Sequence, residues 1–99
     1  MTTYFMFGKF SAGSLKDVST ERTRKATALV ENMGGKVEAI YALLGTYDVV
    51  AVAEFADFKD AMKASVELSK MLGISFTTSP AVTVEEFDKL ATQQHVSMP

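Results

Sequence analysis

Apolar side chains recur along this chain with two periods, and the switches between them mark out its elements. Residues 4–10 form an aromatic-rich run bounded by Ser11, Gly13 and Ser14, which predicts a strand ending in a loop. Over 19–33 the pattern changes: Ala26, Leu29, Val30 and Met33 recur as one face of a helix. Ser19 is placed to cap that helix, Glu21 complements its positive end, and Gly34-Gly35 supplies the stop. Residues 37–44 and 47–55 read as two strands joined by Gly45-Thr46, a two-residue loop with glycine first, as a type II′ hairpin prefers. Asp57 caps a second helix whose broad face carries Phe58, Ala61, Met62, Ser65, Leu68 and Leu72 and which ends at Gly73. Residues 74–79 give a last strand limited by Pro80, and Thr83 with Glu86 forms a capping box for a short helix over 84–90. The expected layout is a single domain over 1–91 and a polar C-terminal tail over 92–99.

The order β-α-β-β-α-β, with a short closing helix, predicts an α+β domain of ferredoxin-like architecture: a four-stranded antiparallel sheet with both helices on one face. Pairing Leu44 with Tyr47 across the hairpin would put Ile40, Ala42, Leu44, Tyr47, Val49, Ala51 and Ala53 beneath the helices. The opposite face would then carry Val37, Ala39, Tyr41, Leu43, Asp48, Val50, Val52 and Glu54. A face this apolar needs a cover. The same face of a second copy is the expected one, giving a homodimer of the dimeric α+β barrel type, with a flanking loop or the C-terminal helix as the alternative.

Composition narrows the function classes. The 99 residues suit one core, and the net charge of −2 offers no basic excess for a phosphate backbone, so nucleic acid is not an expected partner. The absence of cysteine removes disulfides and thiolate chemistry and agrees with a cytoplasmic location. The opening segment is apolar but lacks the basic leader and longer hydrophobic region of a signal peptide. No apolar run approaches the ~20 residues of a membrane span, so no membrane partner is expected.

Asp48 is the sharpest candidate for chemistry. Among Leu43, Val50 and Val52 its carboxyl would be partly desolvated and drawn toward the range of a general base; the alternative is a carboxylate at a strand end, solvated or bonded to turn amides. Tyr4, Tyr41 and Tyr47 can orient a planar ligand or simply pack. Arg22 shares the apolar helix face, where its guanidinium can hold a ligand carboxylate, pair with Asp48 or Glu54, or snorkel to solvent. Glu54 lies six residues along the strand from Asp48, ~20 Å away, too far for a carboxylate pair. His95, in the polar tail, gives no basis for a metal site or a catalytic pair, and no cofactor is expected.

Gly45, Tyr47 and Asp48, with Glu21-Arg22, Gly34-Gly35 and the passage from Gly73 to Thr78, resemble the GYD-domain family, small prokaryotic proteins of largely uncharacterised function. The resemblance runs from about Thr3 to Leu90. It implies a subunit related in shape to dimeric α+β barrels, a group spanning cofactor-independent oxygenases, isomerases, ligand sensors and proteins without known activity. Two functions follow as expectations. The first is a non-catalytic homodimer that binds a small apolar or aromatic ligand or serves as an interaction module, with Tyr41, Tyr47, Asp48 and Arg22 as ligand-binding candidates. The second is a cofactor-independent oxygenase or isomerase in which Asp48 accepts a proton from a phenolic or enolic substrate.

Overall fold

A computed structural model of the protein describes residues 1–93. It contains β1 (Thr2–Phe10), α1 (Ala12–Lys16), α2 (Thr20–Asn32), β2 (Lys36–Ala42), β3 (Val49–Phe55), α3 (Phe58–Leu72), β4 (Ile74–Ala81) and α4 (Val84–Gln93). The strands form one antiparallel sheet in the order β2-β3-β1-β4. Helices α2 and α3 lie on one face of it, as the element order predicts for a ferredoxin-like α+β domain. His95 and the rest of the 94–99 segment lie outside the described residues, while Thr92 and Gln93, expected in the tail, belong to α4.

The core between helices and sheet is built on the even positions of β1 and the odd positions of β3: Tyr4 and Met6 against Ala53 and Phe55. From α2 it takes Val30, with Ala26, Leu29 and Met33 packed alongside, so the helical face read from spacing is the buried one. From α3 it takes Ala61, Ala64 and Leu68. Phe58 and Met62, expected on that same buried face, are 57% and 59% exposed because they sit at the rim of α3 above the edge strand β4. Ser65, between them and the core, bonds the Ala61 carbonyl at 2.9 Å and the Thr78 hydroxyl at 2.6 Å, tying α3 to β4.

Caps form where the sequence provides them. The Ser19 hydroxyl accepts from the Arg22 amide, Asp57 from the Lys59 amide and Thr83 from the Glu86 amide, while Gly73 closes α3 in the left-handed conformation (φ 67°). The short helix α1 falls in a stretch that reads as loop. Ser11 caps it by accepting from the Ser14 amide at 3.0 Å, and the buried Ser14 hydroxyl returns a bond to the Ser11 carbonyl at 3.1 Å.

The β2–β3 connection departs from the expected hairpin. The strands stop at Ala42 and Val49, and 43–48 forms a longer loop closed by the Leu43 amide donating to the Asp48 carbonyl at 2.8 Å. Leu44 is therefore fully exposed and does not lie beneath the helices. Tyr47 crosses to the other face, its ring 5.1 Å from Phe7. A register shift between Val37 and Ala39 moves Val37 the opposite way, into the core side, although strict alternation placed it on the open face.

The tightest of the glycine positions is Gly35, where an added Cβ would meet the Phe55 ring at 2.5 Å and Val30 at 2.9 Å. Gly35→Ala is expected to lower the unfolding free energy by about 1–3 kcal/mol, read by urea denaturation. An unchanged midpoint would mean that this contact yields at no cost.

Candidate functional site

Between α2 and the sheet lies a half-open cleft of about 120 Å³. Its origin is side-chain size. At its midpoint α2 contributes Ala26 to the wall, and β3 contributes Ala51 and Ala53, three short side chains that leave space between helix and sheet. Met6, Val49, Leu72, Ile74 and Phe76 complete an apolar floor, and the exposed members of the wall, Val18, Thr23 and Ile40, mark the mouth.

Arg22 is the single charged residue in this wall. It is half-buried, its guanidinium carbon 5.8 Å from the centre of the Phe10 ring, and Nη1 donates to the Ser14 carbonyl at 2.7 Å. The ion pairs considered for it with Asp48 or Glu54 do not form; the pairs among the described residues are Arg24–Glu21, Lys36–Glu38 and Lys70–Glu67. The hydroxyl protons of the other polar wall residues are already used, Thr23 donating to the Ser19 carbonyl and Thr27 to the Thr23 carbonyl.

The remaining candidates do not converge on Arg22. Asp48 is half-buried at the end of β3, its amide donating to the Gly8 carbonyl at 2.8 Å and its Oδ2 accepting from the Phe10 amide at 2.8 Å. The carboxylate thus continues the β1–β3 ladder beyond its last residue pair, the amide-bonded alternative weighed for it. Tyr47 packs on Phe7, Tyr41 projects from the open face of β2 with 59% of its surface exposed, and Tyr4 is a core residue edge-on to Phe55 at 5.9 Å. Sequence reasoning picked out Arg22 but not the cleft beside it, whose signal was the run of alanines on facing elements. Among the described residues no cluster of acidic or histidine side chains could hold a metal ion, and no helix is long and apolar enough to cross a membrane.

The opposite face of the sheet forms a second candidate surface. Phe5 and Phe7 stack at 6.2 Å along β1, flanked by Val52 on β3 and by Ala39 and Tyr41 on β2, while the edge strand β4 presents Ser75, Thr77 and Ser79. Helix α4, the alternative cover, extends from the end of β4 with Val84, Phe87 and Leu90 all exposed.

The GYD domain matches residues 4–91, and the chain belongs to that family. No curated protein matches the sequence. Among solved structures, FFRP-DM1 superposes with a TM-score of 0.60 at 27% identity, over 83% of this chain and 100% of that one. A hypothetical protein from Pyrococcus horikoshii gives 0.54 at 25% identity, over 84% of this chain and 92% of that one. The Leucine response regulatory protein of Mycobacterium tuberculosis gives 0.56 at 12% identity over 83% of this chain, a likeness of fold alone. This chain matches 51% of that regulator, about half its length.

The residues Gly45, Tyr47 and Asp48 therefore have a structural task here: they turn the loop and fasten it to β1 through Phe7, Gly8 and Phe10. Asp48→Ala, which leaves the Phe10 amide without its acceptor, is expected to cost about 1–3 kcal/mol in urea denaturation, and Asp48→Asn clearly less. Equal losses would contradict the hydrogen-bonding role.

Proposed function

We propose that this GYD-domain protein is a non-catalytic homodimer in which each subunit, a single domain over 1–91, binds a small apolar molecule. The single observation that carries the ligand half is the cleft under α2, an apolar space in a well-packed core whose one charged wall residue is a cation. Its volume, about 120 Å³, is close to the ~150 Å³ of an apolar cavity that accepts benzene. Acid–base chemistry on a bound molecule would need a base within hydrogen-bond reach of it. Asp48, the base considered, is engaged by the Phe10 amide and is not among the residues of the wall.

Self-association rests on the open sheet face. Stacked Phe5 and Phe7 with Val52 and Tyr41 make an apolar stripe across three strands, and a two-fold partner would bury it against its own copy. The polar open-face residues of β4 would rim such an interface. A chain without cysteine suits a reducing, cytoplasmic setting.

Light scattering at micromolar protein is expected to give the mass of two chains, and Phe7→Asp the mass of one; a monomeric parent would contradict the interface. In an amide NMR titration, benzyl alcohol is expected to shift the signals of Ala26 and Ala51, and Ala26→Leu to abolish the response by filling the space. Shifts on the open sheet face, or none, would contradict the cleft.

A further inference from the structure

The cleft has an electrostatic asymmetry that narrows what can occupy it. A guanidinium carries five N–H donors, and Arg22 shows a bond from Nη1 to Ser14 alone. It is half-buried and held over Phe10, and among the described residues no carboxylate pairs with it. A partly desolvated cation with unused donors attracts an anion more strongly than an exposed one does. No other side chain in the wall has a donor to share the work, because the Thr23 and Thr27 hydroxyl protons are already given to carbonyls of their own helix.

We infer that the ligand of this cleft is a small monocarboxylate with an aromatic or branched aliphatic body and no amino group; the inference rests on the ligand-binding reading above. The planar guanidinium fork matches one carboxylate in a bidentate arrangement. The apolar body lies inward between Ala26 and the alanines of β3, where a six-membered ring fills most of about 120 Å³. A zwitterionic amino acid fits badly: its ammonium would enter a wall that has hydroxyl acceptors but no acidic side chain, and its charge would stay uncompensated in a partly desolvated site. A neutral alcohol of the same shape fills the space but offers the guanidinium one uncharged acceptor in place of a bidentate anion.

The test is an amide NMR titration of the full chain with benzoate, benzyl alcohol and phenylalanine, repeated on Arg22→Gln and Arg22→Lys. Benzoate is expected to bind the parent more tightly than the other two. Arg22→Gln is expected to weaken benzoate by about tenfold or more, to leave benzyl alcohol unchanged, and Arg22→Lys to recover part of the loss. Unchanged benzyl alcohol binding also reports that the Gln variant keeps its cleft intact. Equal affinity for benzoate and benzyl alcohol would overturn the carboxylate assignment while leaving a ligand cleft in place, as would phenylalanine binding as tightly as benzoate. Failure of all three probes on the parent protein would overturn the ligand-binding reading itself. Loss of benzoate and benzyl alcohol together in both variants would assign Arg22 to holding the wall through Ser14 and overturn its role toward a ligand.

Discussion

The ring of Phe55 is completely buried, edge-on to Tyr4 at 5.9 Å and so close to Gly35 that even a methyl group there would approach it to 2.5 Å. Val30 of α2 closes on the same point. This contact fixes where the C-terminal end of α2 meets the sheet, and a helix is too stiff to follow the sheet once one end is fixed. Farther along, Ala26 faces Ala51 and Ala53, and none is long enough to bridge the gap. The cleft is thus a consequence of tight packing at one end and short side chains at the other. Voids larger than a water molecule are few in natural cores.

The second device that organises the molecule is the fastening of the 43–48 loop to β1. Asp48 serves twice, by its amide to Gly8 and its carboxylate to Phe10, and Tyr47 lays its ring on Phe7. A one-residue register slip of β3 would exchange the alanines that face the helices for Val50, Val52 and Glu54. Anchoring the end of the strand to β1 opposes that slip. Tyr47 and Asp48 thus act on the register of β3 without lining the cleft.

Much of this architecture is legible in the sequence. Helical spacing over Ala26, Leu29, Val30 and Met33, the caps at Ser19, Asp57 and Thr83, and the glycine stop at Gly73 all act locally, and the structure keeps them. What strict alternation could not show depends on contacts between distant elements. Val37 turns inward because a register shift intervenes, and Tyr47 turns outward because Phe7, forty residues earlier, offers its ring. Phe58 and Met62 share a helical face with buried residues, yet the edge strand beneath them ends the core. Arg22 could be singled out as a cation on an apolar helix face, but whether it met an acid or a cavity was a question of tertiary placement.

Cleft and open face lie on opposite sides of one sheet, so pairing two copies through the open faces leaves each cleft accessible from outside the dimer. The most direct measurement is a crystal structure of the protein grown with 4-bromobenzoate, with the bromine located by its anomalous scattering. The account predicts bromine in the cleft between Ala26 and Ala51, the carboxylate toward Arg22, in a dimer joined through the Phe5 and Phe7 face. Bromine at the sheet interface, or an empty cleft in a protein saturated with the compound, would contradict it.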